Sequence, residues 1–181
     1  MYYSTLVPSE ELARHLGDAS WAVVDVRHAL ADPERGYRDY RLSHVPGAVF
    51  ARLDRDLSGP IVPGKTGRHP LPDVAVFAKT LSRWGIDAST QVVCLDDSGG
   101  SMAARLWWML HWLGHDAVAV LDGGWQAWRD AGYAIHGGDE VRVPRRFVPV
   151  ERPNRVVTAA NIEAHLRDRS MPLFDARALD R

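Results

Sequence analysis

Hydrophobic and polar residues recur with two different periods along this chain, and the pattern is clearest over residues 92–128. Short β-branched apolar runs there predict buried strands, and apolar residues spaced three and four apart predict helices. Ser101 is the expected N-cap of the first helix, and Gly114 is its expected left-handed end. The predicted elements are a strand at residues 91–95, a helix that ends at residue 113, a strand at residues 117–121 and a helix at residues 125–131.

The residues before this stretch show the same alternation of helix and strand, with longer loops. Asp73 is the expected cap of a helix with one apolar face, made of Val76, Phe77, Leu81 and Trp84. The other predicted elements are a helix from Pro8 to Leu16, a strand at residues 21–26, a charged loop through Arg41, a short strand at residues 49–51 and a polar loop at residues 53–68. This alternation predicts an α/β fold with a central, mostly parallel sheet flanked by helices on both faces.

Glycines, prolines and charges after Tyr133 predict a linker, which divides the chain into three parts. We expect residues 1–132 to form one domain and residues 133–156 to form the linker. Residues 157–181 are then the first helix and strand of a second, truncated domain.

An internal repeat supports the third part, because residues 7–27 align without a gap with residues 157–177, at an offset of 150. The identical positions include polar ones, such as the pairs His15/His165, Asp18/Asp168 and Asp25/Asp175. Apolar spacing would match by chance between any two helix-then-strand segments, but polar identities in one register would not. The alignment therefore predicts a tandem duplication.

The amino-acid composition indicates which kinds of binding partner and which cellular compartment to expect. The 181 residues hold 22 Lys and Arg against 23 Asp and Glu, so we expect neither nucleic acid nor a membrane surface as a partner. Cys94 is the single cysteine, which excludes an internal disulfide and suits a reducing compartment. The chain starts without a signal-peptide pattern and contains no apolar run long enough to cross a bilayer, so we expect a cytoplasmic protein.

Five short motifs follow one another along the chain. They are VDVR at residues 24–27, HVPGA at 44–48, TGRHPLP at 66–72, ARLWW at 104–108 and LDGGW at 121–125. Together they resemble the amino-terminal half of the two-domain rhodanese-like sulfurtransferases, which act on thiosulfate or 3-mercaptopyruvate. The resemblance covers nearly the whole chain and implies a rhodanese-like fold.

In the family that the chain resembles, the amino-terminal domain keeps the fold without the nucleophile, and the carboxy-terminal domain carries the persulfide-forming cysteine. The position that matches this cysteine, directly after the strand, is Asp96, so the resemblance implies no catalytic residue in these 181 residues. The family's substrate-binding arginine matches Arg181. The loop that corresponds to the active loop consists of Asp96, Asp97, Ser98, Gly99, Gly100 and Ser101.

The resemblance implies transfer of sulfane sulfur from a small anionic donor, through a cysteine persulfide, to cyanide or a thiol, with no cofactor. The cysteine would come from a carboxy-terminal rhodanese domain, and we expect the 181 residues to be inactive alone. An alternative is a non-catalytic rhodanese-like module that binds or regulates a partner. A third hypothesis makes Asp96 and Asp97 a cation site or a general base, against a capped, solvated turn as the simpler interpretation.

The other candidate residues have structural interpretations. Cys94 lies inside an apolar strand, where cysteine is usually a small buried hydrophobic residue, and a phosphatase-type Cys-x5-Arg motif is excluded by Gly100. Arg27 and Arg105 are candidates for anion binding, but we expect each to pair with a carboxylate, either Asp25 or one in the loop.

The histidines and tryptophans give no clear sign of a ligand site. His111 and His115 are four residues apart, but Gly114 ends the helix between them, so the spacing predicts no metal site. The tryptophans near the central helix are expected in core and interdomain packing rather than in a ligand cage. They are Trp107, Trp108, Trp112, Trp125 and Trp128.

Overall fold

The computed structural model of the chain describes residues 2–166, 170 and 172–174. Helices and strands alternate through most of it. In chain order they are β1 (Leu6–Val7), α1 (Ser9–Arg14), β2 (Trp21–Asp25), α2 (Arg35–Leu42), β3 (Val49–Phe50), α3 (Val74–Arg83), β4 (Gln91–Leu95), α4 (Ala103–Trp112), β5 (Val118–Leu121), α5 (Gly124–Asp130) and α6 (Ala159–His165), with a 3₁₀ turn at Pro153–Arg155.

The five strands form one sheet in the order β1-β5-β4-β2-β3, and every pair is parallel. The central strand β4 pairs Cys94 with Val24 on one side and with Val120 on the other. Because all strands run the same way, their carboxyl ends meet at one edge of the sheet, where the loops after β2, β3, β4 and β5 begin.

The sheet buries both of its faces, which confirms the predicted α/β architecture. Successive strand residues point to opposite faces, so Val92 and Cys94 join one core while Val93 and Leu95 join the other. The first core is covered by α3 and α4 and the second by α1 and α5. The tryptophans divide between them, because Trp107, Trp108 and Trp112 belong to the first core and Trp125 and Trp128 to the second.

Helix α2 lies where the sequence predicts a charged loop, so that prediction is wrong. The helix has few apolar residues, and its buried contacts come from Gly36 and Tyr40. The helix has two tyrosines, Tyr37 and Tyr40, among four charged residues, and Gly36 supplies no apolar side chain, so the sequence shows no continuous apolar stripe. An i,i+4 ion pair between Arg35 and Asp39 supports the exposed side.

Helix α3 begins as predicted, because the Asp73 side chain accepts hydrogen bonds from the backbone of Ala75 and Val76. The predicted apolar face includes one wrong residue, since Val76 is 57% exposed. The stripe that faces the sheet is set by Phe77 and Leu81, four residues apart, and Val76 is rotated about 100° from Phe77. The two-residue strand β1 was not predicted, because such a short segment shows no periodicity.

The segment predicted to be a linker contacts the domain along most of its length. His136 and His44 form an antiparallel bridge, and the backbone nitrogen of Val150 donates to Leu113. Phe147 is buried in the first core, which anchors the segment between these two contacts. The compact unit accordingly extends from residue 1 to residue 151.

Residues from 152 onward belong to a second, small unit. Helix α6 starts with a capping box in which the Thr158 side chain and the Asn161 backbone are paired. Residues 172–174, the described part of the predicted second strand, are not in a strand, and Leu173 is 57% and Phe174 is 92% exposed. The rest of that predicted strand lies outside the described residues. Among the described helices, none has the length and hydropathy required to cross a bilayer.

Candidate functional site

The loop after β4 curls around the side chain of Asp96 at the carboxyl edge of the sheet. Its carboxylate is 1% exposed and accepts four backbone N–H groups. Oδ1 accepts from Ser98 at 2.9 Å and Gly100 at 2.8 Å, and Oδ2 accepts from Met102 at 2.7 Å and Ala103 at 2.8 Å. Convergent N–H groups of this kind form an anion-binding concavity, and here the chain's own carboxylate fills it.

Asp96 is also the cap of helix α4, so the prediction that Ser101 is the N-cap is wrong. The helix begins at Ala103, and the Ser101 hydroxyl lies 3.0 Å from the hydroxyl of Ser98 instead. A carboxylate is a stronger acceptor than a hydroxyl, and the end of β4 delivers it directly below the first helical turn. The loop is therefore capped as predicted, but it is not solvated around Asp96.

Asp97 points away from Asp96 and pairs with Arg35 of α2, while its backbone oxygen accepts from Gln126 of α5. The four N–H donors on Asp96 account for the roughly four lone-pair positions of a carboxylate. A cation at Asp96 would have to displace these bonds, so the geometry disfavours the cation hypothesis. In the loop that corresponds to the family's active loop, both carboxylates are therefore already engaged.

A shallow pocket of about 240 Å³ lies beside the loop, between Arg27, Arg35, Trp125 and Arg129. Each of its arginines is paired with a carboxylate: Arg27 with Asp25, Arg35 with Asp97 and Asp39, and Arg129 with Asp130. The pocket therefore offers no uncompensated positive charge to a small anion.

Arg27 follows the prediction, because its guanidinium forms a buried ion pair with Asp25 at 2.8 Å and lies over the ring of Trp125. Arg105 differs, since its partners are carbonyl oxygens rather than a loop carboxylate. It donates to Leu57 at 2.7 Å, His69 at 3.1 Å and Pro70 at 3.3 Å. Burial lowers the pKa of Arg105, and these three carbonyls replace its lost hydration.

Cys94 is fully buried in β4, as the apolar strand predicts. Burial raises the pKa of its thiol, and the nearby Asp96 carboxylate adds to that effect. A thiol in this position is neutral and out of contact with solvent, so it is a poor nucleophile.

A second group of polar side chains at the same edge was not indicated by the sequence. His28 follows β2, Asp54 follows β3, and His69 lies in the long loop before α3. One potential ligand atom from each of the three side chains lies within 4.8 Å of the other two. Among the described residues, this is the group of three side chains that could hold a metal ion. The three residues are far apart in the chain, so only the fold brings them together.

His111 and His115 do not share a site. His111 Nδ1 pairs with Asp116 at 3.0 Å, while His115 packs against Phe147. Burial lowers the pKa of His115, as it does that of His28. Arg181, the predicted substrate-binding residue, lies outside the described residues.

Comparison with known proteins places the chain in a family. Residues 9–131 match the rhodanese-like domain, which is more than half of the chain. A probable 3-mercaptopyruvate sulfurtransferase of Pseudomonas aeruginosa is 44% identical over 182 residues, covering 100% of this chain and 64% of the relative. A putative thiosulfate sulfurtransferase of Mycobacterium tuberculosis is 42% identical over 135 residues, covering 74% of this chain and 46% of the relative.

Among solved structures, SseA from Escherichia coli, described with the fold and mechanism of 3-mercaptopyruvate sulfotransferases, matches with a TM-score of 0.87 and 26% identity. That alignment covers 98% of this chain and 67% of SseA. The chain spans about half the length of the curated relatives it matches, from 34% to 64%. The parallel sheet, the order of the motifs and these similarities agree, and the chain belongs to the rhodanese-like domain family.

Proposed function

We propose that this chain forms the amino-terminal, non-catalytic part of a two-domain sulfurtransferase that uses 3-mercaptopyruvate or thiosulfate. The names of the relatives support this activity class, and each relative is longer than this chain. In this proposal residues 1–132 form the rhodanese-like domain, residues 133–156 the interdomain segment and residues 157–181 the beginning of the catalytic domain. Helix α6 supports the duplication, because it begins 150 residues after the start of α1.

The proposed reaction takes place on a cysteine of the carboxy-terminal domain. Its thiolate attacks the outer sulfur of thiosulfate or the thiol sulfur of 3-mercaptopyruvate, a sulfur–sulfur bond to the cysteine forms, and the donor's own sulfur–sulfur or carbon–sulfur bond breaks. The leaving group from thiosulfate is sulfite, and the leaving group from 3-mercaptopyruvate is the enolate of pyruvate, which is then protonated. Cyanide or a thiol takes the outer sulfur of the persulfide and releases the thiolate. Arg181 is the proposed contact for the anionic donor, by its match to the family.

The observation that carries the proposed inactivity of these 181 residues is the position of Asp96. The N–H cradle at the end of β4 is the place where this fold presents a nucleophile, and a carboxylate occupies it with four hydrogen bonds. Cys94, the single cysteine, is fully buried two residues before Asp96. In this proposal the first domain has a structural role and supports the carboxy-terminal catalytic domain. We also propose a cytoplasmic location, because the lone buried thiol suits a reducing compartment.

The test is a sulfur-transfer assay on the purified 181-residue chain, with thiosulfate and cyanide read as thiocyanate, and with 3-mercaptopyruvate and a thiol read as sulfide. We expect no turnover above the blank with either donor. Cys94→Ala is the matched control, because it removes the single thiol of the chain. Turnover that disappears in Cys94→Ala would contradict the proposal and make the short chain an enzyme.

A non-catalytic binding module is the second candidate, and the filled cradle favours it equally. The two candidates differ in the kind of partner that the 181-residue chain would bind. If the module hypothesis is correct, affinity capture with the 181-residue chain recovers a stoichiometric partner that is not a sulfurtransferase domain. If no such partner is recovered, the sulfurtransferase hypothesis is preferred.

A further inference from the structure

Two imidazoles and one carboxylate, none of them in the Asp96 loop, converge at the carboxyl edge of the sheet. His69 Nε2 lies 2.8 Å from Asp54 Oδ1, and the rings of His28 and His69 are nearly perpendicular, with centroids 6.2 Å apart. One ligand atom from each of the three residues lies within 4.8 Å of the other two. The three side chains therefore surround one small volume.

The donor set suits a borderline divalent metal. Imidazole nitrogens and a carboxylate oxygen bind Zn²⁺ at roughly 2.0–2.2 Å, and tetrahedral ligands at that distance are about 3.3 Å apart. The observed separations, from 2.8 Å to at most 4.8 Å, bracket this value. Hard cations such as Mg²⁺ prefer oxygen ligands and do not fit two imidazoles.

The surroundings hold two of the ligands in place and leave one side open. His28 is buried, with 8% of its surface exposed, and lies shortly after the end of strand β2 at Asp25. The backbone at His69 is fixed by Arg105, whose guanidinium donates to the carbonyl oxygens of His69 and Pro70. The side chain of Asp54 is 50% exposed, which gives an ion a path from solvent.

We propose that His28, Asp54 and His69 bind one Zn²⁺ ion, with the fourth position open to water or to a small ligand. Arg105 is a positioning residue for this site, since it holds the His69 backbone and contributes no ligand atom. The site is separate from the proposed sulfur transfer, because that reaction is placed on a cysteine of the carboxy-terminal domain and all three ligands lie in the first domain. A simple hydrogen bond between His69 and Asp54 is the competing account.

The test uses the 181-residue chain after chelator treatment, at neutral pH. Zn²⁺ binding is followed by titration calorimetry, and Co²⁺ binding by visible absorption, which reports the number and type of ligands. We expect one ion per chain. Affinity should fall at least about 100-fold in His28→Ala and His69→Ala, and about 10-fold in Arg105→Lys, the loss typical of a residue that supports a ligand.

Two further variants keep the test decisive. Asp54→Asn changes an exposed ligand with little effect on folding, and it should also lose affinity, which covers the case in which a histidine variant does not fold. His136→Ala is the matched control, because His136 is an exposed histidine that pairs with Glu140 elsewhere. Circular dichroism checks the fold of each variant.

Absence of Zn²⁺ binding to the parent chain, or equal affinity in His136→Ala and the ligand variants, would overturn the site. Because the measurement is binding, its failure leaves the proposed sulfur transfer untouched.

Discussion

The Oδ2 atom of Asp96 lies 2.8 Å from the backbone nitrogen of Ala103, so a carboxylate that ends strand β4 caps the helix that follows it. The contact joins the central strand of the sheet to the first turn of α4. Loss of this carboxylate would leave buried N–H groups without an acceptor. Asp96, which the resemblance matches to the nucleophile of the family, thus has a structural role in this domain.

We predict that Asp96→Ala lowers the free energy of unfolding by about 2–4 kcal/mol, because it removes a helix cap and several charge-assisted hydrogen bonds. Urea denaturation followed by tryptophan fluorescence measures the change. Asp97→Ala is the control, since Asp97 pairs with the partly exposed Arg35 and should cost about 1 kcal/mol or less. Equal losses in the two variants would show that the cradle does not depend on Asp96.

Asp96→Cys should create a thiol of lowered pKa in the same cradle. The N–H groups that now bind a carboxylate would stabilise a thiolate, so the pKa of the new thiol should fall below that of a free cysteine. In a Cys94→Ala background, titration of the thiolate absorbance measures this pKa, and it needs no access of a reagent to a position at which Asp96 is 1% exposed. The parent chain supplies the comparison, because burial raises the pKa of its Cys94 thiol. A pKa of the new thiol at or above that of a free cysteine would mean that the cradle does not stabilise an anion.

Tyr40 should make the domain sensitive to alkaline pH. Burial raises the pKa of Tyr40 to about 12, against an ordinary value of 10.0, and its hydroxyl donates to Ala48 at 2.7 Å. A raised folded-state pKa means that the folded chain keeps the proton longer than the unfolded chain. The contribution is fully present below pH 10 and is lost as the pH rises toward 12.

Stability measured between pH 9 and pH 11 should therefore fall more steeply in the parent chain than in Tyr40→Phe. At pH 7 the variant should be less stable by roughly 1–2 kcal/mol, since it leaves the Ala48 carbonyl and the Glu140 nitrogen without the hydroxyl. Tyr2→Phe is the control, because Tyr2 is 58% exposed and should follow the parent chain. If stability falls with pH equally steeply in the parent chain and in Tyr40→Phe, Tyr40 is not the group that causes the loss of stability.

Gly36 lets helix α2 approach the strand end, and it should not tolerate a side chain. A Cβ atom at this position would lie 1.9 Å from the carbonyl oxygen of Arg27. We predict that Gly36→Ala costs about 1–3 kcal/mol or more, because the helix or the Arg27 backbone has to move. Thermal unfolding measures the loss. Gly67→Ala is the matched control, since no atom lies within 4 Å of its added Cβ, and its stability should stay close to that of the parent.

The sequence by itself determined the α/β architecture and most of the element boundaries. Periodicity marked β4 and α4, and glycines at helix ends, such as Gly114 with φ of 80°, marked where helices stop. The resemblance read from the sequence also matches Asp96 to the family's cysteine, which stays a prediction. These properties are local, because they depend on spacing and on backbone conformations that a few neighbouring residues fix.

The tertiary structure alone decided what is made by contacts between distant segments. Helix α2 is stabilised by packing of Gly36 and Tyr40 rather than by an apolar stripe, so its sequence looked like a loop. The cap of α4 comes from Asp96 and not from Ser101, because the strand end lies directly beneath the helix. His28, Asp54 and His69 meet only because parallel strands end at one edge of the sheet. The spacing of residues in the sequence does not predict such contacts, since the chain between these residues can follow many paths until the sheet forms.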